Sequence, residues 1–213
     1  MLRRATLLFI VAGALTGAVV IDRVAVIVAK HVITTSDIQR DLRLTQFVNR
    51  EPLDLSAKAM RQSAERLIDQ TIIRDEIARG GYRLSEADAD DLVTRFRQDR
   101  FGGAAGPLRE ELSRYGLNEG HLREQLLWQS TVLRFIDQRF RPGVLVTEEE
   151  VRTYFDQHQA DLKREYAQSN GREALEAKIR ASLEGERINK AFVDWLEGAR
   201  TRNRIGYRVG AFQ

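Results

Sequence analysis

Apolar residues recur every three to five positions across residues 56–81, and this period predicts a long amphipathic helix. Ser56 can cap its start, and Gly80 and Gly81 permit the left-handed backbone that ends many helices. A helix of about 22 residues would be about 33 Å long, so we predict that it is the central packing element. The apolar positions of its stripe are Met60, Ala64, Leu67, Ile68, Ile72 and Ile77.

Two short segments with the composition of β-strands stand at opposite ends of the chain. Residues 21–35 are rich in Val and Ile, and residues 29–31 predict the turn of a hairpin. Residues 204–209 alternate between polar and apolar side chains, as a short strand does. We predict that this last strand pairs with the strand at 24–28, so that the two ends of the chain seal a single apolar interior.

The remaining segments have the periodicity, caps and breaks of helices, so the expected fold class is mainly α with a small β element. Ser36 begins a capping-box pattern, and Asn118 and Thr147 are further caps. The last helix changes register near Gly185, which predicts packing on two different neighbours. The aligned apolar residues of the helix after Asn118 are Leu122, Leu126, Leu133, Ile136 and Phe140, broadened by Leu127, Trp128 and Phe135. The predicted helices cover about 36–50, 57–80, 85–100, 108–115, 118–140, 147–158 and 172–202.

Composition and charge exclude some classes of function. The chain of 213 residues has 34 Lys and Arg against 31 Asp and Glu, and the two signs are interspersed. Nucleic-acid-binding proteins concentrate positive charge in one patch, and the sequence contains no such block, so we expect no nucleic-acid partner. Cysteine is absent, which excludes disulfides and thiolate metal sites.

Residues 1–20 have the organisation of an export signal. Arg3 and Arg4 precede an apolar run over residues 5–20, and residues 16–18 offer a cleavage site after Ala18. The run is somewhat shorter than the roughly 20 residues that span a bilayer, so a cleaved signal peptide and a retained inner-membrane anchor both stay open. In either case the rest of the chain would be exported, which in a bacterium means the periplasmic side.

The sequence contains no arrangement of residues that is typical of catalysis. His31, His121 and His158 lie on separate predicted elements and lack zinc-ligand spacing. Nucleophile-elbow, Walker A and dinucleotide-binding patterns are missing as well. We therefore predict no catalytic residue, no metal site and no cofactor.

Four apolar residues flank the glycine-rich segment 102–106 and form the only candidate binding site. They are Phe96, Phe101, Leu112 and Tyr115. Two interpretations stay open: these side chains belong to the core, or they form a partly exposed apolar rim that binds unfolded segments.

Three segments together resemble the N-terminal module of the SurA family of periplasmic chaperones. They are IDRVAVIVAKHVITTSDIQRDLRL, ERLIDQTIIRDEIARGGYRLSEADADDLV and LREELSRYGLNEGHLREQLLWQSTVLRFI. The resemblance covers about residues 21–158, and residues 172–213 are similar to the C-terminal helix and strand that complete that module. It implies a SurA/trigger-factor-like multi-helix chaperone module, so that residues 21–213 form one domain.

Members of this family often carry parvulin-type prolyl isomerase domains between the two parts. Only the 13 residues 159–171 occupy that place here, whereas such a domain would need roughly 90. The expected function is therefore binding of unfolded or outer-membrane-bound polypeptides in the periplasm without ATP. The alternatives are a prolyl isomerase, which the family name implies, and a membrane-anchored envelope scaffold protein.

Overall fold

The computed structural model describes residues 22–82, 86–158 and 172–212. Within these ranges the protein is mainly α-helical with one small sheet, which confirms the predicted fold class. A 3-10 turn, Arg141–Gly143, follows the fifth helix. The other elements in chain order are β1 (Val24–Val28), β2 (His31–Thr34), α1 (Thr35–Asn49), α2 (Ala57–Gly80), α3 (Glu86–Phe101), α4 (Ala105–Arg114), α5 (Glu119–Phe140), α6 (Glu148–Gln157), α7 (Arg172–Arg202) and β3 (Ile205–Tyr207).

The sheet joins the two ends of the described chain. Its strand order is β2-β1-β3, and both pairings are antiparallel. The amide of Ala29 donates to the carbonyl of Arg204 at 2.8 Å, and the amide of Arg208 donates to the carbonyl of Ala25 at 2.9 Å. The prediction that the last strand pairs with the first is therefore confirmed.

Helix α2 begins and ends as its sequence predicts. The Ser56 hydroxyl accepts a hydrogen bond from the amide of Ala59 at 3.3 Å, and Gly81 adopts the left-handed conformation with φ 73°. Of the predicted stripe, Leu67 is only partly buried, whereas Ile68 has no exposed surface. The buried residues of α2 are Ala59, Met60, Ser63, Ala64, Ile68, Ile72, Ile73 and Ile77.

The caps of α5 and α6 are confirmed, but the predicted start of α1 is wrong by two residues. Asn118 and Thr147 both form capping boxes. Helix α1 is capped by Thr34, whose hydroxyl accepts from the amide of Asp37 at 3.2 Å. Strand β2 runs directly into the helix, so the last strand residue serves as the cap and Ser36 donates to Asp22 instead. The predicted start of α3 at residue 85 lies outside the described residues.

The predicted apolar stripe of α5 is wrong at one position. Leu133 is 68% exposed, whereas Phe135 is fully buried. The Phe135 ring lies 5.3 Å from that of Tyr82 and 5.5 Å from that of Trp195. The helix therefore presents residue 135 to α2 and α7, and residue 133 points away from them.

The buried apolar residues divide into four clusters. The first, here called the sheet core, packs the sheet against α1, α2, the end of α7 and Ala211. The second lies among α1, α3, α4 and α5, the third between α6 and the first half of α7, and the fourth among α2, α5 and α7. Trp195 and Leu196 contact both the first and the fourth cluster.

Helix α7 packs on different neighbours along its length, as the change of register predicts. Leu175 and Ile179 in its first half pack with Val151 of α6. Phe192 and Trp195 in its second half pack with α2 and α5. The long helix thus connects α6 to the rest of the protein.

None of the described helices is long and apolar enough to cross a lipid bilayer. Residues 1–20, the predicted signal peptide or anchor, and residues 159–171 lie outside the described ranges.

Candidate functional site

All four candidate binding residues come together in the second cluster, here called the aromatic lobe. Its buried members are Leu44, Phe47, Leu108, Leu112, Leu117 and Leu122. Its partly buried border consists of Val48, Phe96, Phe101, Tyr115 and Leu126.

Glycines shape the lobe because they reverse the chain around it. Gly102 and Gly103 have φ angles of 57° and 85°, values that favour glycine, and they turn α3 back into α4. Gly116, with φ 66°, follows the end of α4, and the amide of Leu117 donates to the carbonyl of Leu112 at 2.9 Å. These two turns place the aromatic end of α3 beside the end of α4.

The four candidate residues differ in their access to solvent. Leu112 is fully buried and supports the lobe from inside, whereas Phe96, Phe101 and Tyr115 are half-buried at its border. The Phe47 ring lies 5.8 Å from that of Phe96 and 5.7 Å from that of Tyr115. The border rings therefore contribute to packing and keep part of their surface exposed, and their role in binding stays a prediction.

Arg100 lies against these rings. Its guanidinium carbon is 5.0 Å from the centre of Phe96 and 5.8 Å from that of Phe47, within the range of cation–π attraction. Its Nη1 atom donates to the carbonyl of Val48 at 2.9 Å, at the negative end of the α1 dipole. Burial lowers the pKa of Arg100, and the charge of Arg50 lowers it further.

Several arginines of the lobe lack an ion pair, whereas Arg109 and Arg114 of α4 pair with nearby glutamates. Arg43, Arg50, Arg97 and Arg100 form no ion pair with a carboxylate in the described part of the chain. The Nε atoms of Arg43 and Arg97 are buried without a hydrogen-bond partner. The sequence did not predict this feature, because ion pairing depends on tertiary contacts and these do not follow from the spacing of residues.

A second apolar surface, also missed from the sequence, is a groove of about 490 Å³ between α2 and α5. The Arg74 guanidinium carbon stacks 3.9 Å from the centre of the Trp128 ring, and burial lowers the pKa of Arg74. In the sequence, this groove was indicated only by Leu127 and Trp128, which widen the predicted apolar stripe of α5. The groove is lined by Arg74, Ile77, Ala78, Tyr82, Glu124, Leu127, Trp128 and Thr131.

A group of ion pairs fastens the C-terminal elements onto α2. Arg200 of α7 binds both Glu65 and Asp69, and the Tyr207 hydroxyl donates to Glu65 at 2.5 Å. Burial and then the hydrogen bond to Glu65 raise the pKa of Tyr207 to about 12, and burial raises the pKa of Asp69. These contacts hold the closing helix and strand in place.

The buried carboxylate of Asp41 has a structural role. It is 7% exposed and accepts hydrogen bonds from Ser63 at 2.7 Å and from Arg66 at 2.8 Å. Its donors lie on α2, so the network ties α1 to α2. No group of three or more His, Asp or Glu side chains within residues 22–82, 86–158 and 172–212 is placed to hold a metal ion.

Comparison with known proteins identifies relatives of this chain. No family model matches it. It is 29% identical to "Chaperone SurA" of Pseudomonas aeruginosa over 155 residues, which is 70% of this chain and 37% of that protein. It is 26% identical to "Chaperone SurA" of Chromobacterium violaceum over 151 residues, 68% of this chain and 34% of that protein. This chain is related to the SurA family. The relationship to SurA confirms the resemblance found in the sequence, and the chain spans about a third of the length of these relatives.

Proposed function

We propose that this protein is a chaperone-like module that binds unfolded polypeptides without nucleotide hydrolysis. The observation that carries the proposal is its relationship to two proteins named as SurA chaperones, over about 70% of its own length. The partly exposed aromatic rings of the lobe support it, because such surfaces accept varied apolar segments. Outer-membrane proteins are the proposed clients within this class.

The proposed binding surface is the border of the aromatic lobe. Phe96, Phe101 and Tyr115 would contact the client through their exposed faces, and Leu112 would hold α4 in place beneath them. Unpaired arginines around these rings add an attraction for acidic clients. Each contact is small, so affinity for any one segment is weak and tolerant of sequence.

Export to the periplasm belongs to the same proposal. Residues 1–20 serve as a signal peptide or an inner-membrane anchor, and residues 21–213 act as one module. The antiparallel pairing of β1 with β3 supports the second statement, since it joins the 21–158 part to the 172–213 part. Determining the N-terminal residue of the exported protein distinguishes a cleaved signal from an anchor.

Suppression of aggregation tests the function. The full chain, mixed with an equimolar unfolded client, should lower light scattering, and nucleotide should not change the result. The variant Phe96→Ser with Tyr115→Ser should lose most of this effect, while Leu133→Ser, which alters an exposed leucine outside the lobe, should keep it. Scattering that is unchanged by the wild-type chain would contradict the proposal.

Two further measurements separate the alternatives. A prolyl isomerisation assay should give only the uncatalysed rate, with times of tens to hundreds of seconds, because residues 159–171 are too few for a parvulin domain. Recovery of many unfolded proteins in a pull-down favours the chaperone, whereas one dominant folded partner favours the envelope scaffold.

A further inference from the structure

Strand β3 has a glycine at its centre that the local backbone does not require. The φ angle of Gly206 is not positive, and a Cβ atom at this position would meet no atom within 4 Å. Glycine weakens a strand, because it has greater freedom when unfolded and no side chain to pack. Glycine in a strand often marks a place where a ligand or another backbone approaches closely.

The space above Gly206 is a notch of about 340 Å³ in the outer face of the sheet. Gly206 lies opposite Ile27 of β1, and Ile27 lies opposite Val32 of β2. Val32 is 53% exposed, so this row presents apolar surface beside the notch. The notch is lined by Ile27, Ala29, Arg204, Gly206, Tyr207 and Arg208.

Two arginines flank the notch. Arg204 and Arg208 stand two residues before and after Gly206, and alternation along a strand places all three on the same face. Both are exposed, and neither forms an ion pair with a carboxylate of the described ranges. An anionic group on either side of the notch would therefore find an unneutralised guanidinium.

The outer edge of β3 is open for pairing. The carbonyl of Arg204 and the amide of Arg208 bond to β1, so the backbone groups of Ile205 and Tyr207 point to the other side. Among the described strands none pairs with β3 on that side, since the order is β2-β1-β3. An extended segment added there would place one residue opposite Gly206 in a close, non-hydrogen-bonded pair, with Cα atoms about 4.5 Å apart.

We propose that this edge binds an extended acidic polypeptide segment as a fourth strand. An aromatic side chain of the segment would cover Gly206, as cross-strand aromatic residues do for edge glycines. Carboxylates two residues to either side would pair with Arg204 and Arg208. Main-chain hydrogen bonds to Ile205 and Tyr207 supply affinity, and the alternating side chains supply specificity.

Charge decides between this ligand and a second copy of the protein. Two β3 strands paired antiparallel about Gly206 would place Arg204 of each copy opposite Arg208 of the other, and like charges directly opposite are destabilising. Lipid headgroups would use the arginines but not the open backbone groups. The inference rests on the proposed function only because it takes a polypeptide as the ligand. The edge of β3 is a surface separate from the aromatic lobe.

A labelled peptide tests the inference by fluorescence anisotropy with the full chain. The probe has the core Glu-Thr-Phe-Thr-Glu between neutral residues. Replacing both Glu by Lys, or Phe by Ala, should weaken binding about tenfold or more. N-methylation of the two Thr residues, which face Ile205 and Tyr207, should abolish it. Equal binding of the N-methylated peptide would overturn strand addition.

Variants of the chain give the reciprocal test. Gly206→Val fills the notch and favours the strand, so the thermal midpoint should hold or rise while peptide binding falls about tenfold. Arg204→Glu with Arg208→Glu should reverse the preference to the Lys peptide, whereas Arg152→Glu, an exposed arginine of α6, should leave binding unchanged. Unchanged binding by Gly206→Val would overturn the proposal.

Three outcomes distinguish strand addition from binding at the lobe, from dimerisation and from lipid binding. Loss of peptide binding in Gly206→Val with full suppression of aggregation supports two separate surfaces. Concentration-dependent dimers that Gly206→Val abolishes would assign the edge to a second copy and overturn the proposal. Binding to anionic vesicles that requires Arg204 and Arg208, without any binding of the Glu peptide, would overturn it as well.

Discussion

Partly buried charges are paired across elements in the sheet core and mostly unpaired in the aromatic lobe. In the sheet core the buried Asp41 pairs with Arg66, and Arg200 bridges Glu65 and Asp69. In the aromatic lobe four arginines have no carboxylate partner within the described ranges, although aromatic rings and backbone carbonyls contact Arg100. Those arginines are Arg43, Arg50, Arg97 and Arg100.

This difference indicates that the two regions have different tasks. Paired charges and fully buried apolar residues give the sheet core one stable arrangement that joins the ends of the chain. The lobe combines partly exposed rings with unneutralised cations, an arrangement that a ligand can complete. We therefore expect stability to depend chiefly on the sheet core, and we propose that the lobe binds the client.

The largest expected effect is on the interior of the sheet core. Ile68 has no exposed surface, so Ile68→Ala removes buried contacts and leaves a cavity. The free energy of unfolding should fall by about 3 kcal/mol. Urea denaturation measures it, with Phe96→Ala in the lobe as the comparison. An equal or larger loss for the half-buried Phe96 would break the distinction between the two regions.

A somewhat smaller effect is expected from the buried network of α1. Asp41→Ala leaves the partly buried Arg66 without its carboxylate acceptor, whereas the Ser63 hydroxyl keeps the carbonyl of Ile38. Stability should fall by about 2 kcal/mol, because unsatisfied buried donors lose hydration without compensation. Asp137→Ala on the exposed side of α5 is the control and should change stability by less than about 0.5 kcal/mol. A similar loss for both variants would show that the Asp41 network is no stronger than a surface ion pair.

In the lobe, a change of charge should affect binding more than stability. Arg100→Met keeps part of the packing on Phe96 but removes the charge and the hydrogen bond to Val48, at a cost of about 1 kcal/mol. Suppression of aggregation of an acidic client should weaken and become less sensitive to salt. Arg95→Met, an exposed arginine on the same helix, is the matched control. Unaltered salt sensitivity in Arg100→Met would show that the lobe cations do not attract the client.

The smallest effect concerns pH and lies outside both regions. The hydrogen bond from Arg187 lowers the pKa of Glu150 to about 2 from its usual 4.5. The contribution of Glu150 to stability is therefore present above pH 4.5 and is lost as pH falls toward 2. The protection factors of the α6 amides, which are corrected for the pH dependence of intrinsic exchange, should fall in that range, and Glu150→Gln should flatten the dependence. Because the pair is exposed, salt should weaken it. A pH dependence that persists in Glu150→Gln would assign it to other carboxylates.

Local rules were enough to predict most element boundaries. Ser56, Gly81 and Asn118 act within one turn of their own helix, so their roles follow from sequence alone. The cap of α1 could not be predicted in this way, because Thr34 is the cap only as a consequence of where β2 ends. Similarly, Leu133 and Phe135 both suit an apolar stripe, and the position of α7 decides which one is buried.

The candidate site was predictable in its residues but not in its electrostatics. The turns at Gly102 and Gly116 follow from sequence, and they bring Phe96 and Tyr115 to one lobe. Which arginines lack partners depends on where the carboxylates of other helices lie. The notch at Gly206 likewise could not be predicted, because its position depends on the register of β3 against β1.

Amide hydrogen exchange with and without an unfolded client tests the division between the sheet core and the lobe most directly. We predict that the client raises protection along α3 and α4, whose residues border the lobe, and leaves the protection of α2 unchanged. Protection that rises along α2 alone, or equally along all three helices, would contradict it.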